Sequence, residues 1–145
     1  MHITFLASLE AVLGVPEWIG YLFIFVLGAC IGSFLNVVIY RVPNELSLLT
    51  GSACPNCKSG IKFYHNIPIF GWLMLGGKCS NCKQPIAWRY PAVELLTACL
   101  FAAVFWQVGF SPYLPVALAF AATMTALVFI DADHMILPNV ITYPM

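Results

Sequence analysis

Every Lys and Arg of this 145-residue chain falls between Arg41 and Arg89, in a stretch bordered on both sides by uncharged apolar runs. The same stretch carries Cys54-x-x-Cys57 and Cys79-x-x-Cys82. Any fold must therefore join a polar, cysteine-clamped module to a chain otherwise suited to lipid. Hydrophobic residues make up 61% of the sequence and charged ones 8%, against about 25% charged in an ordinary soluble domain. The pattern is that of an all-α polytopic membrane protein with a small zinc-ribbon-like loop domain. Six basic and six acidic residues cancel, leaving no broad cationic face for nucleic acid, whose binding rests on neutralising phosphates.

Ile19 to Tyr40 is an uncharged run of 22 residues. As a helix it is about 33 Å long, enough to cross a hydrocarbon core of about 30 Å. Met1 to Glu17 has no Lys or Arg, so it lacks the basic start of a secretory signal, and the run is expected to persist as a first membrane helix. The second expected span is Leu95 to Phe110, with Ala92, Val93 and Glu94 as its first turn and Ser111-Pro112 as its end. Tyr113 to Ile130 is the third, stopping at Asp131. Val140 to Met145 opens like a fourth that the 145 residues do not complete, so the chain is expected to be part of a longer protein. This divides it into an N-terminal segment and first span (1–40), a cysteine module (41–91) and a region of later spans with the acidic motif (92–145). The positive-inside rule puts the module on the cytoplasmic side and returns Asp131 to the same boundary.

Two CxxC pairs separated by 21 residues suit a tetrahedral four-thiolate zinc site made of Cys54, Cys57, Cys79 and Cys82. The knuckles repeat each other, with Asn56 and Asn81 inside them and Lys58 and Lys83 after them to offset thiolate charge. The alternative is a disulfide pair or inert thiols, and a reducing compartment disfavours the disulfides. A loop with so little core would draw much of its folding energy from the metal. Cys30 and Cys99, inside apolar helices, are expected to be small packing residues.

Gly28-x-x-x-Gly32 places two small residues on one face of the first span, and Asn36 continues it by a turn, with Ser33 flanking. Two readings stand here: close helix packing with a polar bond across it, or a substrate-facing groove. Glu94 either opens the second span, where a carboxylate suits the helix N-terminus, or serves a functional site at membrane depth. Asp131-Ala132-Asp133-His134 either marks the water interface or supplies an acid or base partly desolvated at the boundary. Asp131 and Asp133 stand two apart on a helix, on different faces, so they do not form a proton-sharing pair with each other.

These motifs in this order resemble the type IV prepilin peptidases, membrane aspartic proteases of type IV pilus and type II secretion systems. The resemblance rests on Gly32-Ser33-Phe34-Leu35-Asn36-Val37-Val38 with Arg41-Val42-Pro43, the two CxxC pairs, Arg89-Tyr90-Pro91-x-x-Glu94, and Asp131-x-Asp133-His134-x-x-Leu137-Pro138. It implies cleavage of a basic leader from a prepilin or pseudopilin on the cytoplasmic side of the bacterial inner membrane. It also implies methylation of the new N-terminus with S-adenosylmethionine. Asp131 matches the family's first catalytic aspartate, and Asp133 a non-catalytic acidic position. Asn36, Glu94 and Asp133 become candidates for the substrate or methyl-transfer site. The second catalytic aspartate belongs to a Gly-x-Gly-Asp motif that does not occur in these 145 residues, so this piece alone is expected to be inactive. The alternatives are a non-enzymatic assembly or scaffold protein that uses the zinc loop for docking, and a metal-dependent hydrolase built on Asp131, Asp133 and His134.

Overall fold

The computed structural model describes residues 14–54 and 56–134. Among these are four α-helices: α1 (Glu17–Arg41), α2 (Phe70–Met74), α3 (Arg89–Val108) and α4 (Leu114–His134). A short 3-10 turn, Phe63–Asn66, precedes α2. Among the described residues there is no strand, only two isolated bridges inside the cysteine module. Helices α1, α3 and α4 are each long and apolar enough to cross a membrane. The expected start of a fourth span at Val140 lies outside the described residues, as do Leu137, Pro138 and Asn139.

The ends of the helices depart from the uncharged runs. Helix α3 begins at Arg89, three residues before the expected Ala92. Pro91 is tolerated because the first turn of a helix has no internal partner for its N–H. Glu94 therefore sits in the second turn rather than the first. Gly109, at φ 63°, closes the helix by donating its N–H to Phe105 at 2.7 Å. Helix α4 runs past the uncharged stretch that ends at Ile130 and carries Asp131 and Asp133 within its last turn, so both aspartates are helical as expected. In α1, Glu17 in the first turn and Arg41 in the last both complement the helix dipole. Arg41 also gathers the following loop, donating to the carbonyls of Ser47, Thr50 and Gly51 at 3.0, 2.6 and 3.1 Å.

Helices α1 and α3 pack antiparallel along the small-residue face. A Cβ added to Gly28 would lie 2.7 Å from the Cα of Ala98, and one on Gly32 would lie 2.7 Å from the Cα of Glu94. One turn farther, Asn36 donates its side-chain amide to the carbonyl of Tyr90 at 3.0 Å. The packing reading of Gly28, Gly32 and Asn36 is the one the structure realises. Helix α4 covers the seam: Leu114 and Leu118 join Ile24, Phe101 and Phe105, and Ala126 joins Leu35, Ile39 and Val93. Cys30 and Cys99 are exposed, facing away from the bundle instead of packing within it. They share that outer surface with Phe23, Val26, Phe120 and Val128, an apolar coat suited to lipid.

Because Gly28 meets backbone that cannot yield, Gly28→Val should force the helices apart and destabilise the protein by about 1–3 kcal/mol. Cys30→Val on the exposed face should leave the midpoint unchanged. Thermal unfolding of both variants in detergent checks the pair.

Candidate metal centre and membrane-boundary carboxylates

The cysteine module is built from one local structure used twice. In the first knuckle the N–H of Cys54 bonds the carbonyl of Ser59 at 3.0 Å, and that of Lys58 bonds the carbonyl of Cys54 at 2.9 Å. In the second, the N–H of Cys79 bonds the carbonyl of Gln84 at 2.9 Å and that of Lys83 bonds Cys79 at 3.1 Å. Bridges between Ala53 and Gly60 and between Lys78 and Pro85 close the two loops at equivalent positions. Lys58 and Lys83 each adopt φ 58°, the left-handed conformation that aims successive backbone N–H groups at the thiols.

All four Sγ atoms lie within 4.8 Å of one another. Cys54 and Cys82 are separated by 3.7 Å, and Cys57 and Cys79 by 4.0 Å. A tetrahedron with Zn–S bonds of about 2.3 Å has edges of about 3.8 Å, whereas a disulfide needs about 2.05 Å. The six cysteines are all free, and the four in the knuckles form a cluster that could hold a metal such as zinc. Each knuckle also reaches across to the other: Asn56 donates to the sulfur of Cys82 and Asn81 to that of Cys57, both at 3.7 Å. The Ser59 hydroxyl, 3.0 Å from Cys57, is the main influence that draws its thiol down to about 5. The N–H groups of Cys82 and Asn81 lower Cys79 as well. These are the outer contacts a thiolate cluster requires.

Trp72 fastens the second knuckle to α2. Its indole N–H donates to Ile86 at 3.1 Å, and the ring lies against Gly77, where a Cβ would approach to 2.8 Å. Gly71, at the start of α2, rests directly on the carbonyl of His65, leaving no space for a side chain.

The acidic candidates lie apart from the thiols in role. Glu94 is buried, and its carboxylate accepts the N–H of Ile69 at 2.6 Å. Asp133 is held by Arg89, whose Nη1 lies 2.7 Å from both carboxylate oxygens. The guanidinium also stacks 5.4 Å from the centre of the Phe129 ring. This pair ties the start of α3 to the end of α4. Asp131, half-buried on the same last turn, stands at that end of the bundle. The hydrogen bond from Ile69 to Glu94 was not legible in the sequence, because its partners lie 25 positions apart with no motif linking them.

A family model described as Bacterial Peptidase A24 N-terminal domain matches residues 26–108. The chain belongs to the bacterial peptidase A24 family. The matched A24 region takes in the α1–α3 seam, both knuckles and Glu94, and ends before Asp131. The prepilin leader peptidase/N-methyltransferase of Myxococcus xanthus is 46% identical over 133 residues, covering 89% of this chain and 40% of that protein. The namesake from Neisseria gonorrhoeae is 42% identical over 145 residues, covering 83% of this chain and 51% of its own. That of Pseudomonas aeruginosa is 38% identical, covering 82% and 49%. The chain thus spans about half the length of the curated A24 relatives it matches. No solved structure matches it.

Two measurements test the metal centre. Cys79→Ser should reduce bound zinc severalfold by elemental analysis and destabilise the module, while Asn81→Ala should retain zinc but lose it to a chelator about 10-fold faster. Lys83→Gly, which removes a side chain from a left-handed position, should stabilise the zinc-loaded protein by about 1 kcal/mol in denaturant unfolding.

Proposed function

We propose that this A24 chain is the N-terminal part of a membrane aspartic endopeptidase that removes the basic leader from type IV prepilins or pseudopilins. The observation that carries this reading is the similarity to prepilin leader peptidase/N-methyltransferases across more than four-fifths of the chain. Asp131, at the end of a membrane-length helix, supports it, since such a protease needs a carboxylate at the membrane boundary. The reaction is assigned to the cytoplasmic face of the bacterial inner membrane, on the basis of the Lys and Arg confined to the loop between α1 and α3.

In the proposed mechanism Asp131 is one of two carboxylates that work as a pair. One takes a proton from water as the oxygen attacks the scissile carbonyl carbon, and the other gives a proton to the departing amine. The second carboxylate is assigned to a Gly-x-Gly-Asp motif, absent from these 145 residues, so cleavage by this piece alone is not expected. Asp133 has a supporting role, because its ion pair with Arg89 fixes the last turn of α4, and so the position of Asp131, against α3. Negative charge at this boundary suits a basic leader entering ahead of an apolar helix.

Zinc, held by Cys54, Cys57, Cys79 and Cys82, has a structural role in this reading, supplying folding energy to the module. Methylation of the new N-terminus with S-adenosylmethionine completes the proposal, and it rests on the relatives' names alone. Asn36 and Glu94 are assigned as positioning residues for either activity, since their side chains already bind Tyr90 and Ile69. A non-enzymatic scaffold is the competing outcome of the test.

In the full-length protein, Asp131→Asn should abolish leader removal from a prepilin while zinc content and unfolding midpoint stay at wild-type values. Mass analysis of the prepilin reads the result. Retained cleavage takes Asp131 out of the mechanism, and no cleavage by zinc-loaded wild type favours the scaffold.

A further inference from the structure

Ile69 has an unusual backbone. It is β-branched yet has φ 63° and ψ −55°, and the chain closes tightly around it, with the N–H of Phe70 donating to Pro68 at 2.6 Å. This is a γ-turn of the rare positive-φ form, a conformation that persists only where its surroundings enforce it. The enforcing contact is the Glu94 carboxylate, which takes the N–H of Ile69 at 2.6 Å.

That bond fixes a depth. Glu94 packs on Gly32, and from Gly32 helix α1 runs on to Arg41, about 13 Å farther toward the basic loop. Glu94 stands five residues into α3, about 7.5 Å from its start, and its side chain leans back toward that start, so Ile69 lies beside the end of the spans, on the bundle side of Arg41. Irregular backbone at such a depth must have its polar groups satisfied by protein, because lipid offers no partners. The Glu94 carboxylate provides this, which explains an ionisable group buried in an apolar helix.

Helix α2 follows at once. One side of it is fixed to the protein through Trp72 and Gly71. On the other side Phe70, Leu73 and Met74 are 65%, 57% and 70% exposed. Exposed Lys62 and Lys78 bracket the segment in the chain. Exposed apolar side chains directly after a residue held at the end of the spans, flanked in the chain by lysines with long flexible stems, match an element lying in the boundary between headgroups and acyl chains.

We infer that α2 is a lipid-interface anchor: Phe70, Leu73 and Met74 enter the acyl boundary of the bilayer, and Lys62 and Lys78 meet anionic phospholipid headgroups. The metal module is thereby seated on the membrane and does not project freely from it. The depth set by Ile69 and Glu94 selects lipid over a soluble partner, and the lysines select an anionic leaflet.

The test uses unmodified full-length protein in nanodiscs of phosphatidylethanolamine and phosphatidylglycerol, with a fraction of phospholipid carrying a diazirine in its acyl chain. After illumination, adducts are mapped by tandem mass spectrometry. Phe70 to Met74 should label at a yield like that of Phe23 and Val26 on the outer face of α1, about tenfold above Asn56 and Ser80 in the knuckles. Labelling of α1 with Phe70 to Met74 at the knuckle yield overturns the inference. Cover by a second copy or by a peptide gives that same low yield and also overturns it.

Discussion

The close approach of α1 and α3 at Gly28 and Gly32 is the constraint on which the other contacts depend. Lipid gives no hydrophobic reward for bringing two apolar helices together, so their association rests on backbone proximity and on polar bonds made across the seam. With side chains absent at both glycines, Glu94 comes to lie against Gly32, and Asn36 comes within reach of the Tyr90 carbonyl. Each of those polar side chains would be costly at its depth without its backbone partner, Ile69 for Glu94 and Tyr90 for Asn36. The seam therefore comes first, and the polar contacts are its consequence.

The two knuckles show a different economy. The same hydrogen bonds, the same bridge positions and the same left-handed residue occur in both, so four sulfurs converge from two short loops with almost no apolar interior. The asparagines that cross between them give each half a reason to hold its shape only when the other is present. Lysine at the left-handed position is the less stable choice than glycine, but it keeps positive charge beside the thiolates.

What the sequence disclosed follows from how local each signal is. The convergence of four thiols was legible because CxxC spacing encodes its own geometry, and the three membrane-length helices because absence of charge over about 20 residues has few other meanings. The start of α3 was placed three residues late, because only the uncharged run was followed back from Leu95. The ion pair of Arg89 with Asp133 joins the two helix ends, a contact between residues 44 positions apart that no local pattern marks. The role of Glu94 was hidden for the same reason, since a γ-turn at Ile69 has no compositional mark. Cys30 and Cys99 were expected to pack inward because cysteine is usually buried in water-soluble folds, whereas in a membrane the outer face is equally apolar.

Trp72 gives the architecture a mechanical character. Through Ile86 and Gly77 it grips the second knuckle, and through α2 it adjoins the strained turn at Ile69, which in turn rests on Glu94 in the bundle. The path from the sulfurs to the transmembrane helices thus runs through short, directional contacts instead of a slack linker. A module joined in this way is a bracket rather than a tether: the spacing of the sulfurs and the placement of Glu94 in the bundle are tied to each other through Trp72 and Ile69.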